Sequence, residues 1–462
     1  MKPHADALVV FGATGDLAKR SLFPALHELQ RRGRLDIPVI GVARSVWDDD
    51  KLRSYAKQSI QQYAPHGLDA AAFDGLAKEL HFVQGEYHHH ETYDRLKQLL
   101  GGAQHPLAYL AIPPSVFDDV IEGLVKAGIN EGGRICVEKP FGRDLASAKE
   151  LDACVLNAFE EDDIFRMDHF LGKESVLDLL VFRFDNLILE PLWNRHYISS
   201  VQIMLAEDFG VEGRGAFYEE VGALRDVVQN HLLALVMLVA MEPPAAPGAQ
   251  ALRDEKVKLL RAMRSIDPKD VVRGQYNGYH KEAGVASDSD VETYVALSAF
   301  IDNWRWAGVP FFVRAGKKLK MTATEVVVEF RDPPRPLFRD HKHGSPKRNH
   351  FTFRVKPTEG LGLTVQIKEP GDALASAPVE LRYSYDDNRE SLEETAYERL
   401  LGDAIEGDPS LFARADVIEE AWRVVMPVLE HPTPIRRYEP GTWGPKEANA
   451  IPDVGWHDPT KA

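Results

Sequence analysis

The chain has 462 residues, of which 44% are hydrophobic and 27% are charged, and its formal net charge is −16. This composition predicts two or three globular domains with hydrophobic cores and does not favour a largely disordered chain. The negative charge argues against nucleic acid or an anionic membrane as the main partner, so an anionic substrate would need a local basic pocket.

The cysteine content and the distribution of apolar runs limit the class of protein further. The two cysteines, Cys136 and Cys154, provide neither a disulfide framework nor a cysteine-based zinc site within the chain. The first residues lead directly into an apolar run without the features of a secretory signal. The longest apolar run, residues 232–241, has about half the length of a membrane-spanning helix. We therefore expect a soluble, cytoplasmic protein.

Short apolar runs alternate with helical patterns in the first third of the chain. Helices are predicted after the first strand and over residues 116–127, and the strands are predicted over residues 7–11, 38–43, 107–112 and 134–138. Such alternation is typical of a doubly wound parallel sheet with right-handed crossover helices. We predict this α/β domain over residues 1–170.

The pattern changes after about residue 170. A long apolar helix is predicted over residues 175–184, and alternating β-branched runs follow at residues 198–205, 325–330, 350–355, 363–368 and 379–385. No crossover helices separate the later runs, so they suit an antiparallel sheet. We predict a second, β+α domain over residues 171–462.

A glycine-containing turn follows the first predicted strand. Gly12, Thr14 and Gly15 stand where strand meets helix, a position at which glycines let the backbone approach a pyrophosphate and the helix supplies N–H groups. The alternative is a glycine turn that only connects the strand to the helix and binds no ligand. Arg44 follows the second strand, where a basic residue suits the 2′-phosphate of NADP, although a surface arginine would fit the same position. Together these features predict a dinucleotide site that prefers NADP.

Lys139 ends the predicted strand over residues 134–138, in the sequence Glu-Lys-Pro. Ligands of doubly wound sheets bind beyond the carboxyl ends of the strands, and Pro140 either fixes a turn or carries a cis bond that would aim the lysine. The alternative is a solvated lysine before a proline turn. The same tripeptide occurs in sugar oxidoreductases related to glucose-fructose oxidoreductase, so it does not identify a substrate.

His231 lies in a predicted helix, on a face that is otherwise apolar. The residues that share this face at helical spacing are Leu224, Val227, Val228 and Leu235. A buried structural histidine is the alternative, but the polar neighbours Asp226 and Asn230 weaken it. The oxidation of a hydroxyl needs a base with a pKa near neutrality, which a histidine oriented by a carboxylate provides.

Asp168, His169 and Lys173 lie within six residues, just before the long apolar helix. Lys173 would oppose the helix dipole there, and an anion bound to the helix amides, Lys173 and His169 would remove that conflict. Asp168 would be a poor neighbour for the anion, so we expect it to point elsewhere, for instance toward His231. A capped surface turn with an ion pair is the alternative.

The order of these motifs resembles that of the glucose-6-phosphate dehydrogenase family over residues 7–320, in the stretches GATGDLAKR, EKPFGRDL, RMDHFLGKE, AEDFGVEGRG, RDVVQNH and VRAGKKL. The resemblance implies a Rossmann coenzyme domain and a β+α domain with a large, mostly antiparallel sheet. It also implies oxidation of β-D-glucose 6-phosphate at C1 to 6-phospho-D-glucono-1,5-lactone with hydride transfer to NADP+, the first step of the oxidative pentose phosphate pathway. A homodimer or homotetramer is implied too.

The resemblance further implies a role for individual residues. His231 would be the general base and Asp168 its orienting carboxylate. The implied ligands of the substrate and the coenzyme are His169 and Lys173 for the phosphate, Glu207, Asp226 and Lys317 for the sugar hydroxyls, Gly12, Thr14, Gly15 and Arg44 for NADP, and Lys139 for both. No metal is implied, because the cofactor carries the hydride.

The sequence departs from the family pattern at two positions. Phe170 stands where the family commonly has a tyrosine that reaches the phosphate, and Thr322 stands where many members have a basic residue. Each lost charge-assisted partner would cost about 1.5–3 kcal/mol of binding free energy. We therefore expect a weaker phosphate grip, compensation by Lys318 or Lys320, or another hexose or hexose phosphate as substrate.

A further alternative is a catalytically idle, nucleotide-binding regulatory paralogue. The presence of Asp168, His231 and Lys139 argues against it, because such a protein would not need the residues of the hydride-transfer chemistry.

Overall fold

The computed structural model of the chain describes residues 3–335, 337, 348–372, 374–385 and 394–461. The chain divides into two units, each formed by three segments. The first unit comprises Met1–Lys173, Ala246–Arg253 and Glu394–Ile418. The second comprises Glu174–Ala245, Asp254–Glu393 and Glu419–Ala462.

Six parallel strands form the sheet of the first unit. They are β1 (Ala7–Phe11), β2 (Val39–Ala43), β3 (Leu80–Gln84), β4 (Pro106–Leu110), β5 (Arg134–Glu138) and β6 (Ile164–Met167). Their order is β3-β2-β1-β4-β5-β6, so the direction of winding reverses between β1 and β4. The residues of β1, β2 and β4 are all buried, as expected for strands covered on both faces. The predicted doubly wound parallel sheet is confirmed.

Nine strands form the sheet of the second unit. They are β7 (Ile198–Ala206), β8 (Val271–Tyr276), β9 (Tyr294–Ala299), β10 (Phe311–Gly316), β11 (Ala323–Phe330), β12 (His350–Lys356), β13 (Gly360–Lys368), β14 (Ser376–Ser384) and β15 (Arg436–Tyr438). Their order is β14-β13-β12-β11-β7-β10-β9-β8-β15. The pairs β7–β10 and β8–β15 are parallel and the others antiparallel. The predicted large, mostly antiparallel sheet is confirmed.

The α-helices of the described residues are α1 (Phe23–Arg31), α2 (Asp49–Tyr63), α3 (Ala70–Glu79), α4 (His90–Leu100), α5 (Phe117–Ala127), α6 (Leu145–Leu156), α7 (Glu174–Phe184), α8 (Gly215–Ala223), α9 (Leu233–Ala240), α10 (Ala249–Ala262), α11 (Ala396–Glu406) and α12 (Ala415–Glu430). Several begin at a side-chain cap: Asp48, Asp69, Asp144 and Thr395 each accept a hydrogen bond from the first turn. These caps fix where the helices start.

The second half of the chain contributes α11 to the first unit, although the sequence assigned all of residues 171–462 to the second domain. The apolar face of α11 explains this difference. Leu400, Leu401 and Ile405 are buried in the core that covers β1 and contains Leu26, and Ile405 O accepts a backbone hydrogen bond from Ala5 at 2.8 Å. Burial of this face stabilises α11 on the parallel sheet.

One mostly helical stretch of the second unit, Gly215–Ala240, is interrupted at Gly222 and is long and apolar enough to cross a membrane by length and composition alone. In this fold 83% of its most apolar 18-residue segment is buried. The stretch contains α8, a π-helix over Leu224–Leu232, and α9, in which every residue is buried. It therefore contributes a fully buried helix, α9, to the interior of the second unit.

Candidate active site

The predicted phosphate-binding turn lies at the carboxyl end of β1, where the winding of the parallel sheet reverses. Gly12 has a φ of +85°, and a Cβ there would lie 2.2 Å from Ala111 O, so only glycine fits. The N–H of Gly15 donates to Gly12 O at 2.9 Å and closes the turn. The absence of a side chain at Gly12 leaves the backbone open to a close approach, as a dinucleotide requires.

The ends of β1 and β2 meet beside this turn. Ser45 Oγ donates to Thr14 Oγ1 at 3.2 Å, and the Tyr55 hydroxyl donates to Thr14 O at 3.1 Å. Arg44, next to Ser45, is exposed, so its guanidinium is accessible to a ligand. The turn and the exposed cation fit the pyrophosphate and the 2′-phosphate of NADP.

Tyr87 follows β3 at the same edge of the sheet and is not among the residues predicted from the sequence. Burial raises the pKa of Tyr87, whereas the Arg44 charge and a backbone hydrogen bond with Gly12 oppose this rise. The Tyr87 hydroxyl is therefore hydrogen-bonded to the backbone of Gly12, one of the residues predicted to bind the coenzyme. Its position shortly after β3 was a usable signal, because the carboxyl ends of parallel strands share one edge.

Lys139 lies directly after β5, and the Lys139–Pro140 bond is cis, one of the two predicted possibilities. The preceding residue, Glu138, accepts a hydrogen bond from the Tyr109 hydroxyl at 2.5 Å and another from Tyr397. Loss of hydration raises the pKa of Glu138 to about 7, against the lowering effects of the two hydroxyls and Lys139. Glu138 is thus the carboxyl centre of a polar cluster beside Lys139.

Asp168, His169 and Lys173 follow β6, and each has a distinct local contact. Asp168 is buried, and its Oδ1 accepts the backbone N–H of Phe170 at 2.9 Å. The His169 ring stacks on Tyr397, with 6.0 Å between ring centres and 7° between planes. Lys173 Nζ lies 4.4 Å from the centre of the Phe170 ring. Phe170, one of the two residues that depart from the family pattern, therefore makes a cation–π contact with the Lys173 ammonium.

Glu207, Asp226 and Lys317, the predicted sugar ligands, come together in the second unit. Glu207 and Lys317 follow the parallel neighbours β7 and β10, whose last residues pair in register. Lys317 Nζ lies 2.5 Å from Glu207 Oε2 and 3.8 Å from Asp226 Oδ2. An ammonium between two carboxylates provides donors and acceptors at one point, which suits the recognition of several hydroxyl groups.

Two aromatic rings accompany Lys317, and neither was predicted. Lys317 Nζ lies 5.2 Å from the centre of the Tyr218 ring and 5.5 Å from that of Phe209. Burial raises the pKa of Tyr218 well above its usual value, and Asp226 raises it further, so the phenol stays protonated. The rings limit the orientations that Lys317 adopts.

His231 is buried within the π-helix Leu224–Leu232, where the sequence predicted an ordinary helical stripe. The backbone N–H of His231 donates to Asn230 Oδ1 at 2.6 Å. Hydrogen bonds in a π-helix run from residue i to i+5, so Asp226 and His231, five residues apart, turn toward the same side. Single π-helical turns are frequent at functional sites.

The sequence predicted that Lys318 or Lys320 could compensate for the basic residue that Thr322 replaces. All three residues have side-chain contacts in the second unit. Lys320 Nζ donates to Thr460 Oγ1 at 3.2 Å, and Lys318 Nζ lies 4.0 Å from Glu212. Thr322 Oγ1 donates to Asp208 Oδ1 at 2.6 Å. These contacts give no support to a compensating role for either lysine.

Comparison with known proteins places both halves of the chain in one family. The family model "Glucose-6-phosphate dehydrogenase, NAD binding domain" matches residues 9–178, and the model "Glucose-6-phosphate dehydrogenase, C-terminal domain" matches residues 180–455. Together the two matches cover nearly the whole chain.

Individual relatives agree with these matches. "Glucose-6-phosphate 1-dehydrogenase 1" of Mycobacterium tuberculosis is 45% identical over 98% of this chain and 97% of its own length. The cytoplasmic isoform of the potato, Solanum tuberosum, is 39% identical over 96% of this chain and 90% of its own. A solved glucose-6-phosphate dehydrogenase in complex with its substrate, glucose-6-phosphate, is 36% identical and superposes with a TM-score of 0.92 over 99% of this chain and 100% of its own.

Proposed function

The chain belongs to the glucose-6-phosphate dehydrogenase family, and from this premise we propose that it oxidises β-D-glucose 6-phosphate at C1 to 6-phospho-D-glucono-1,5-lactone with NADP+. The observation that carries the proposal is the cluster of Glu207, Asp226 and Lys317, with 2.5 Å between Lys317 Nζ and Glu207 Oε2. This cluster offers a sugar both donors and acceptors.

The first unit would hold the coenzyme. NADP+, when bound, supplies the acceptor for the hydride that leaves C1. Gly12, Thr14 and Gly15 would bind its pyrophosphate, Arg44 its 2′-phosphate, and Lys139 would lie near both ligands. The close packing of Gly12 against Ala111 O and the exposure of Arg44 support this assignment.

The remaining residues would bind and orient the sugar phosphate. His169 and Lys173 attract the phosphate, while Glu207, Asp226 and Lys317 hold the sugar hydroxyls. His231 takes the proton of the C1 hydroxyl as the hydride leaves, and Asp168 orients the imidazole and stabilises its protonated form. The membership of the family supports these roles, which the resemblance implies for both residues.

The choice of substrate is tested by NADPH formation with glucose 6-phosphate, free glucose and other hexose phosphates. We expect the highest kcat/KM for glucose 6-phosphate, since His169 and Lys173 both favour an anion. A higher kcat/KM for free glucose or another hexose phosphate would replace the proposed substrate. No NADPH with any sugar would favour the regulatory paralogue.

We also propose a homo-oligomer built on an apolar face of the second unit. Leu381 and Tyr383 on β14 are 59% and 47% exposed, beside an apolar groove lined by Phe351 and Leu363. Contiguous apolar surface of this kind is typical of an association site. Light scattering is expected to give the mass of a dimer or tetramer, reduced by Leu381→Asp but not by Trp304→Asp, which alters an exposed apolar residue in the β9–β10 connection. The mass of one chain for the unaltered protein would contradict the proposal.

The cytoplasm is the location we propose for this protein. The support is the potato relative, which is named as a cytoplasmic isoform.

A further inference from the structure

The helix that leads to His231 is interrupted just before the π-helix begins. Gly222, near the end of α8, has φ +62° and ψ 176°, which is not helical. The break leaves the first N–H groups of the following helical segment without partners in the preceding turn. The interruption therefore needs a hydrogen-bond acceptor from another part of the second unit.

Glu292 supplies that acceptor twice. Its backbone oxygen accepts the N–H of Ala223 at 2.9 Å, and its Oε1 accepts the N–H of Leu224 at 3.1 Å. A Cβ at position 222 would lie 2.6 Å from the same Oε1, so Gly222 permits this approach. The start of the π-helix is thus attached to a single residue outside the helix.

The Glu292 carboxylate is itself held in a buried ion pair. Its Oε2 accepts from Arg273 Nε at 3.2 Å and from Nη2 at 2.9 Å, and both side chains are less than 10% exposed. Arg273 also donates to Thr433 O and Asp290 O, at 2.9 and 2.8 Å. A carboxylate with both oxygens engaged in this way has little freedom to move.

The residue after Glu292 fixes Lys317. Thr293 O accepts the backbone N–H of Lys317 at 2.9 Å. The Tyr438 hydroxyl donates to Lys317 O at 2.6 Å and lies 3.0 Å from Thr293 Oγ1. Glu292 therefore holds the start of the π-helix that carries Asp226 and His231. The next residue, Thr293, holds Lys317.

We infer that Glu292 is a positioning residue, which sets the place of Asp226 and His231 relative to Lys317 by anchoring the start of the π-helix. The inference rests on the proposed roles of His231 and Lys317. Its physical basis is that small displacements of a catalytic group reduce the rate strongly even when the ligand still binds.

The test compares Glu292→Ala with Glu219→Ala. Glu219, on α8, is a matched control, because its carboxylate also accepts several hydrogen bonds in this unit, from Tyr279 and Ser289 at 2.7 Å and from the Ala286 N–H at 3.3 Å. We expect both variants to unfold at lower temperature. Only Glu292→Ala is expected to lower kcat, about 10- to 100-fold, with the NADP+ dissociation constant unchanged.

Two further measurements separate positioning from general destabilisation. With glucose 6-phosphate deuterated at C1, the primary isotope effect on kcat is expected to rise in Glu292→Ala and to stay unchanged in Glu219→Ala, because only a displaced base slows hydride transfer. Glu292→Gln keeps an acceptor for Leu224 and is expected to retain more turnover than Glu292→Ala. If the alanine variant does not fold, the same two measurements on Glu292→Gln and Glu219→Gln test the positioning role instead.

Turnover and an isotope effect like those of the wild type in folded Glu292→Ala would overturn the inference. Its failure is distinguishable from failure of the proposed function through His231→Asn. If His231→Asn is inactive while the Glu292 variants are fully active, only the positioning role is wrong. If His231→Asn remains active, the proposed base is wrong, and the positioning role falls with it.

Discussion

Replacing His231 by asparagine is expected to lower kcat for glucose 6-phosphate about 10²- to 10⁴-fold, the contribution typical of a general base. Asparagine retains a polar side chain of similar reach but does not take up a proton near neutral pH. Ligand affinity should change far less, because the proposed phosphate and hydroxyl ligands are other residues. Steady-state kinetics give kcat, and fluorescence titration gives the dissociation constants of the sugar phosphate and NADP+.

The same substitution at a structural histidine is the control. His27 is fully buried, and its Nε2 accepts the Asp69 N–H at 3.1 Å. His27→Asn is expected to lower the unfolding temperature while leaving kcat close to that of the wild type. A His231→Asn variant with nearly normal turnover would show that His231 is not the base, and an equal loss of kcat in both variants would trace the effect to folding.

The parallel sheet was predictable where its strands are buried on both faces. The run over residues 7–11 coincides with β1, in which every residue is buried. The two edge strands were missed. β3 is partly exposed and has no continuous apolar run. β6 carries Arg166, whose buried charge is compensated by Asp152 and Glu161 at 2.8 and 2.7 Å, and this interrupts the apolar pattern by which a buried strand is predicted.

The candidate site was predictable where its residues follow strand ends. Lys139 and Arg44 directly follow β5 and β2, and a parallel sheet brings such positions to one edge. Glu207 and Lys317 also follow parallel neighbours, but that pairing became apparent only with the register of β7 and β10. The resemblance to the family, rather than any periodicity, pointed to both residues.

The π-helix around His231 could not be predicted from local spacing. Its residues satisfy an ordinary helical stripe almost as well. The break at Gly222 that precedes it is stabilised by Glu292, which accepts the Leu224 N–H from 68 positions away. The same limit applies to α11, because its place in the first unit depends on the burial of Leu400 and Leu401 with residues such as Leu26, about 370 positions earlier. Contacts of this length leave no signal in a single sequence.

Phe170 has one significance in the sequence and another in the structure. As a sequence feature it marked the loss of a hydroxyl near the phosphate. In the structure its ring lies 4.4 Å from Lys173 Nζ, so it orients the cation that is proposed to bind that phosphate. A tyrosine ring would make the same cation–π contact, so Phe170 keeps this orienting contact and lacks only the hydroxyl.

Replacing Arg44 by alanine is expected to weaken NADP+ binding about 10- to 150-fold, because charge-assisted hydrogen bonds to a phosphate contribute about 1.5–3 kcal/mol. NAD+ lacks the 2′-phosphate, so its affinity should change less than about threefold, in line with the small effect of a surface charge. The preference for NADP+ over NAD+ would then fall by at least about threefold. Separate titrations with each coenzyme, and the ratio of the two kcat/KM values, measure the change.

Arg20→Ala controls for the general loss of positive charge near the glycine turn. Arg20 lies in the short π-helix Ala18–Leu22, and its Nε donates to Asp16 Oδ1 at 2.8 Å on the surface. Its removal should affect both coenzymes slightly and equally, since an exposed ion pair contributes little. An equal weakening of NADP+ and NAD+ by Arg44→Ala would remove the 2′-phosphate role. Tyr87 would then be the next residue to examine, because its hydroxyl has a backbone hydrogen bond with Gly12 and the Arg44 charge lowers its pKa.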